Sequence, residues 1–293
     1  MTQKKLVSVI IPVYNSDKFL KECLDSVLEQ TYPSIEIIAI DDESDDSSID
    51  ILKSYSSKIH VFSQKNQGLA ASLNLGISKA HGDLIKWFSP DDVMYPNTIE
   101  ILVDQAEQCG DDNIVYSNWN IINESAKVIR EFQESNYNEL SDFDFNIRLL
   151  DGQQINVNTT LIPVSFFKKC PIRELEDPVA IDYDFFLRCG FLFNAKFYLI
   201  SQALIKYRIH SEQLSHKNIL RTLDFVEQVK KQVLDNLDTP LRSKYIQELK
   251  QYQKTKPVTK KSLELGMKII SSTPSWASDR LLTFYLNKIR QRR

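Results

Sequence analysis

The run LVSVIIPV at residues 6–13 decides the fold. It is apolar almost throughout, rich in β-branched side chains and without alternation, which predicts a strand buried on both faces. Asn15, Ser16 and Asp17 then offer helix caps, and Phe19, Leu20, Cys23, Leu24, Val27 and Leu28 recur at helical spacing until Pro33. IEIIAI at 35–40 is a second buried strand, and it runs into the acidic cluster Asp41-Asp42-Glu43-Ser44-Asp45-Asp46. A helix to about Tyr55 and a short strand at 59–63 follow. This β-α-β-α-β alternation predicts a parallel sheet with helices on both faces.

The pattern continues with a helix over 68–81 and a strand over 83–88 that ends at Ser89-Pro90-Asp91-Asp92. Pro96 suits the first turn of a helix reaching about Cys109. Another strand is expected at 114–117. Residues 130–155 read as a polar, irregular loop region, 156–162 as a strand and 164–169 as a short helix. A helix over 180–189 precedes an extended stretch at 195–208. After Ser215 the texture changes to amphipathic helices punctuated by Pro240, Pro257 and Pro274, so a boundary is expected there: 1–214 and 215–293.

Composition narrows the function classes. The 293 residues are 42% hydrophobic and 26% charged, an ordinary globular balance. Glycine numbers only 7, and neither G-x-G-x-x-G nor G-x-x-x-x-G-K-[ST] occurs, which excludes a standard dinucleotide fold and a P-loop. Cys23, Cys109, Cys170 and Cys189 have no metal-binding or disulfide spacing and read as buried apolar residues of a reducing compartment. With no signal-peptide pattern and no window of eighteen apolar residues, the expected address is cytoplasmic.

Net charge is −3, but it is divided unevenly. Residues 215–293 hold 17 Lys and Arg against 7 Asp and Glu, a net of +10, which leaves 19 against 32 and a net of −13 before them. The basic part either faces an anionic surface or attracts the acidic part.

Ligands of open α/β sheets collect beyond the carboxyl ends of the strands. Three such ends carry polar residues here: Pro12-Val13-Tyr14-Asn15, Asp41-Asp42 and Asp91-Asp92. Two acidic pairs facing one crevice repel each other unless a cation neutralises them, which points to a divalent metal with oxygen ligands. Capping and turn formation is the alternative reading of the same residues.

In order along the chain, VSVIIPVYN, IDDESDD, NQGLAASLNLGI and FSPDD resemble the motifs of family 2 inverting glycosyltransferases, which have the GT-A fold. The family patterns are V-S-V-I-I-P-x-Y-N, V-D-D-G-S-x-D, N-x-G-x-x-x-A-x-N-x-G and L-D-x-D-D. AIDYDFFLRC at 180–189 resembles the family's E-D-x-D-x-x-x-R, and YRIHSEQLS at 207–215 its Y-R-x-H-x-x-x-x-S. The likeness covers roughly residues 6–214. It implies a mainly parallel, twisted α/β sheet flanked by helices, followed by a basic helical extension.

The resemblance also implies roles. Pro12, Tyr14, Asn15 and Asp42 fall at the nucleotide, where a ring stacked on Tyr14 and an imide N–H donated to Asp42 would select uracil or thymine. Asn66 and Gly68 shape the loop beneath the nucleotide, and Asn74 reads as structural. Asp91 is assigned to ribose and Asp92 to the metal (Mn²⁺ or Mg²⁺), although the two are interchangeable at this level. His210 meets the metal or the diphosphate. Arg208 holds a phosphate or pairs within the acidic domain. Asp182 matches the general base that takes the acceptor hydroxyl's proton. Asp184 is its rival, but two residues on a helix are about 200° apart, so both cannot face one crevice.

Four positions depart from the pattern: Glu43 in place of glycine, Ser89 of an acidic residue, Leu73 of an arginine and Ile181 of a glutamate. The expected function is metal-assisted, single-displacement transfer of a sugar from a nucleotide-diphosphate donor, with a UDP-sugar favoured. The acceptor is a saccharide or a lipid-linked one, in polysaccharide or glycan synthesis. A non-catalytic nucleotide-sugar module and a nucleotidyltransferase are the competing readings, and nucleic acid is not an expected partner. In the C-terminal stretch 276–293, Leu281, Leu282, Tyr285 and Ile289 form a stripe beside Lys288, Arg290, Arg292 and Arg293. Such a helix either lies on the inner face of a membrane or packs on the domain.

Overall fold

A computed structural model describes residues 4–175, 178–213 and 219–256. Strand β1 (Val7–Val13) is buried along its whole length, as its uninterrupted apolar run requires. After helix α1 (Asp17–Leu28), strand β2 (Ile35–Asp41) pairs with β1 in parallel, in the register Val7 to Ile35 through Val13 to Asp41. Helix α2 (Ser48–Ser54), strand β3 (His60–Ser63) and helix α3 (Leu69–Lys79) lead to strand β4 (Leu84–Trp87). β3 adds in parallel outside β2, and β4 in parallel on the other side of β1.

The chain then builds a second sheet. Strand β5 (Val93–Met94) directly follows the Asp91-Asp92 pair, and helix α4 (Thr98–Cys109) leads to strand β6 (Asn113–Ile122) and strand β7 (Val128–Phe132). Helix α5 (Asp142–Asp151), strand β8 (Ile162–Pro163), helix α6 (Val164–Lys169), helix α7 (Ile181–Phe193), strand β9 (Lys196–Arg208) and helix α8 (Ile219–Asp235) follow. The first sheet has the order β3-β2-β1-β4-β8, with only β8 antiparallel, and the second has β5-β9-β6-β7. Val115 and Leu161 exchange backbone hydrogen bonds, tying β6 to the segment that enters the first sheet. Val7, Val9, Ile11 and Val13 pack with Leu20 and Leu24 of α1, Leu102 of α4 and Trp119 and Leu204 of the second sheet in one core.

The chain divides into two compact units, Met1–Leu237 and Asp238–Arg293. In the first, α8 packs against α7. In the second, helix α9 (Thr239–Thr255) starts on Asp238, whose carboxylate accepts the Leu241 N–H at 2.8 Å, with Pro240 in the first turn. The expected stripe at 276–293 lies outside the described residues. Among those described, no helix is long and apolar enough to cross a membrane.

Two sequence expectations need correction. Residues 130–155 contain the end of β7 and all of α5. β7 is an edge strand with mostly exposed side chains, so it lacks an apolar signal. α5 is capped by Ser141, whose hydroxyl accepts the Asp144 N–H, and its acidic first turn hid its apolar face. The strand expected over 156–162 begins instead as a turn of 3-10 helix, because Asn156 Oδ1 takes the Asn158 N–H at 3.0 Å.

α3 approaches β1 and β2 closely because Gly76 has no side chain. A Cβ there would stand 2.4 Å from Ile10 Cγ2 and 3.4 Å from Ile40 Cγ1. Gly76→Ala should therefore cost about 1–3 kcal/mol through overpacking. Urea denaturation measures this as a lower midpoint at an unchanged slope.

Candidate active site

The site forms where the first sheet's strands end. Pro12 is buried in β1, opposite Ile40, and Tyr14 just beyond it is half exposed. Asn15 turns the chain with a φ of 46°, a left-handed conformation that asparagine tolerates better than most residues. Its own N–H donates to Ser44 Oγ at 3.1 Å and its Oδ1 accepts the Asp45 N–H at 2.9 Å. The loops after β1 and β2 are thereby stitched together.

Asp42 donates its N–H to the Val13 carbonyl, extending the parallel ladder. Its carboxylate accepts from Gln64 Nε2 at 2.8 Å, the Gln67 N–H at 3.0 Å and the Gly68 N–H at 2.8 Å. Asp42 thus holds the 64–68 loop and the start of α3, where Gly68 takes a φ of 86°. Among the described residues Asp41, equally buried, accepts only a long 3.4 Å bond from the Ser44 N–H. Asp41 is the freer carboxylate of the pair, and the sequence reading passed over it in favour of its neighbour. Glu43 occupies the family's glycine position with a φ of 61°, and its Oε2 accepts the Asn66 N–H at 3.1 Å. The backbone strain of a side chain there is offset by a bond that ties the second loop again. Asn66 itself stays exposed, and Asn74 donates to the Ile172 carbonyl at 2.8 Å, the structural part expected of it.

Asp91 and Asp92 have opposite environments. Asp92 has no exposed surface: its Oδ1 accepts the Arg208 N–H at 2.8 Å and its Oδ2 accepts Asn158 Nδ2 at 2.7 Å. Burial, with the Asp91 charge beside it, pushes the Asp92 carboxyl well above the usual range. Asn158 also takes the Ser89 N–H on Oδ1, and its carbonyl accepts Lys86 Nζ from inside β4. Burial pulls that lysine down to about 7. Asp91, by contrast, is partly exposed, and its Oδ2 lies 3.0 Å from His210 Nε2.

Asp92, expected at the metal, is thus committed to protein donors, and the pair that opens to the crevice is Asp91 with His210. Arg208 likewise turns inward instead of towards a phosphate. Its Nε donates to the Asp91 carbonyl, Nη1 to the Asn123 and Glu124 carbonyls, and Nη2 to Glu22 Oε2 at 2.5 Å. The guanidinium lies 4.5 Å from the centre of the Phe19 ring.

On α7 the two rival carboxylates separate. Asp184 is fully buried in ion pairs with Arg173 and Arg188, the latter at 2.7 Å. Asp182, partly exposed at the start of the helix, accepts the Tyr183 N–H at 2.7 Å and Gln153 Nε2 at 2.6 Å. Desolvation around its carboxyl raises the pKa to about 6, against the lowering effect of those bonds. Gln153, Asn158 and Glu22 were missed in the sequence because single polar residues in unpatterned stretches carry no spacing signal.

Among the described residues no cluster of three or more His, Cys, Asp or Glu side chains is arranged to hold a metal ion. Asp91 and His210 alone supply one hard oxygen and one imidazole nitrogen. That set would suit a hard divalent cation.

Residues 8–164 match the model of the family described as "Glycosyl transferase family 2". Glycosyltransferase GlyG of Streptococcus pneumoniae is 30% identical over 268 residues, covering 86% of this chain and 89% of that protein. An uncharacterized glycosyltransferase of Rickettsia felis is 34% identical over 215 residues, covering 72% of this chain but only 35% of its own length. The chain thus spans about a third of that relative, and the same share of another from Rickettsia conorii. Among solved structures, S. aureus TarS 1-349 in complex with UDP-GlcNAc superposes with a TM-score of 0.65 at 17% identity, covering 94% of this chain and 83% of that one. At that identity the likeness shows the fold, and it is the GT-A arrangement expected from the sequence.

Arg208→Gln should cost about 3–5 kcal/mol of stability, because it strips the buried partner from three backbone carbonyls and breaks the pair with the half-exposed Glu22. Thermal or chemical unfolding tests this. A stable variant that has lost only affinity for nucleotide would mean that Arg208 serves a phosphate instead.

Proposed function

The chain belongs to glycosyl transferase family 2, and from that premise we propose that it transfers a sugar, with inversion, from a nucleotide-diphosphate donor to a saccharide or lipid-linked acceptor. The observation that carries this reading is the division of labour on α7. Asp184 is locked between two arginines, while Asp182 stands partly exposed with a pKa near 6, so it is a carboxylate at neutral pH with some affinity for a proton.

In this reading Asp182 takes the proton of the acceptor hydroxyl as that oxygen attacks the anomeric carbon. The bond from the anomeric carbon to the diphosphate oxygen breaks on the opposite face, and an α-linked donor yields a β-glycoside. The Gln153 amide, 2.6 Å from Asp182 Oδ2, fixes the carboxylate so that its other lone pairs face the acceptor.

The donor is proposed to be a UDP-sugar. The exposed ring of Tyr14 offers a stacking wall, and Asp41, rather than the fully engaged Asp42, offers a free acceptor for an imide N–H. A bound complex of TarS with UDP-GlcNAc supports the same class of donor. Asp91 Oδ2 and His210 Nε2 would hold a divalent cation, Mn²⁺ or Mg²⁺, with Asp92 setting the loop from behind. Such a cation supplies Lewis-acid stabilisation of the charge that develops on the departing nucleotide diphosphate.

Residues 1–214 are proposed as the catalytic segment and 215–293 as a basic extension. A cytoplasmic setting in glycan synthesis belongs to the same reading, with contact at the inner face of a membrane through 276–293.

With a panel of nucleotide sugars and suitable acceptors, turnover should rise about tenfold per pH unit below pH 6 and level off above it, as the Asp182 carboxylate forms. Asp182→Asn should lose that turnover at least a hundredfold while retaining nucleotide binding, on the scale of a general base. A pH profile flat across this window, with Asp182→Asn active, would overturn the assignment. Calorimetric titration of UDP should also show tighter binding with Mn²⁺ than without it. Asp91→Asn combined with His210→Ala should abolish that difference, and metal dependence that persists in the double variant would place the cation elsewhere.

A further inference from the structure

A hollow of about 410 Å³ lies on the second sheet and shares no lining residue with the crevice described above. It is walled by Tyr95, Pro96 and Asn97 ahead of α4, by Asn118 and Asn120 of β6, by Glu131, Phe132 and Gln133 at the end of β7, and by Ser201, Gln202 and Ala203 of β9. Its volume falls in the range of small-molecule sites, roughly 300–1,000 Å³.

The hollow is built by an irregularity in the sheet. The β6–β9 register runs Ser117 to Ile200 and then Asn118 to Ala203, so Ser201 and Gln202 have no opposite residues on β6. Asn118 Nδ2 holds the displaced strand through the Ser201 carbonyl at 2.7 Å. Bulges of this kind re-aim side chains, and they are common beside binding sites. Phe132, paired with Trp119, stacks on that ring with centres 4.2 Å apart and packs on the core side of the sheet, so the face that carries Asn118, Asn120 and Glu131 is polar.

Asn120 stands in the wall of the hollow. Its Nδ2 contacts the Tyr95 hydroxyl at 2.8 Å, and its Oδ1 is buried with no partner among the described residues. Turning the amide over would only leave the nitrogen unpaired, so one buried polar atom lacks a partner in either orientation.

The lining chemistry names the ligand class. Side-chain amides from Asn97, Asn120, Gln133 and Gln202 and the hydroxyls of Tyr95 and Ser201 donate and accept. Glu131 is the only charged residue of the lining, which disfavours phosphates and other anions. We propose that this hollow is a second binding site, separate from the catalytic crevice, for about one or two rings of a neutral saccharide. It goes beyond the transfer reading and does not depend on it, because binding here needs neither donor nor metal.

The test uses the full chain without donor. Maltotriose, chitotriose and lactose are screened by saturation-transfer NMR and titrated by calorimetry, with 3′-sialyllactose as the anionic arm. At least one neutral probe should bind, and saturating UDP should not displace it. Asn120→Ala and Gln202→Ala, checked for an unchanged melting curve, should each weaken that probe about tenfold. Gln202 is exposed, so its variant keeps the test open should Asn120→Ala fail to fold. Failure of all three neutral probes to bind would overturn the proposal. So would preference for the sialylated probe, displacement by UDP, or an affinity unchanged in the folded variants. Loss of transferase activity alone would leave these readouts unmoved, so the two readings fail separately.

Discussion

The site hangs on one buried cation. Arg208 has no exposed surface, yet its guanidinium reaches the Asp91, Asn123 and Glu124 carbonyls and the Glu22 carboxylate, and its N–H reaches Asp92. A charge taken out of water this completely is tolerated only when its donors are met by well-placed acceptors, which leaves the surrounding loops little freedom. The end of β9, the turn after β4, the loop after β6 and α1 are thereby locked to one another. Asp91 and His210 come to lie 3.0 Å apart because both are attached to that joint.

A second consequence is that neighbouring carboxylates do different work. Asp91 and Asp92 are adjacent in sequence, but one looks into the crevice while the other is sunk among Arg208, Asn158 and, through Asn158, Lys86. Asp182 and Asp184 divide in the same way, one partly exposed and bound by an amide, the other held between arginines. Asp41 and Asp42 make a third such pair, in which the second carboxylate is used up in holding the 64–68 loop. In each pair solvation and hydrogen-bond demand sort residues of one chemical type into a more fully engaged carboxylate and a less engaged one.

The departures from the family pattern find physical accommodation. Glu43 stands in left-handed backbone where glycine would be unstrained, and its side chain takes up the Asn66 N–H. Ser89, in place of a carboxylate, leaves Asn158 as the neighbour of Asp92 and donates its own N–H to Asn158. That end of the sheet is correspondingly less acidic than the family pattern would make it.

The sequence by itself determined the first sheet and the edge at which its polar strand ends gather. Uninterrupted apolar runs at 6–13 and 35–40 have no stable place except the middle of a parallel sheet, and polar residues at the ends of such strands must gather on one edge. It also brought Asp182, Asp91 and His210 to notice through their motifs. Tertiary structure alone decided which member of each acidic pair is less engaged, that Arg208 points inward, and that β7 and α5 occupy a stretch that read as loop. These outcomes depend on burial and on partners far apart in the chain, such as Asn158 for Asp92 and Gln153 for Asp182. Desolvation is a property of the packed surroundings, which no local spacing of residues encodes.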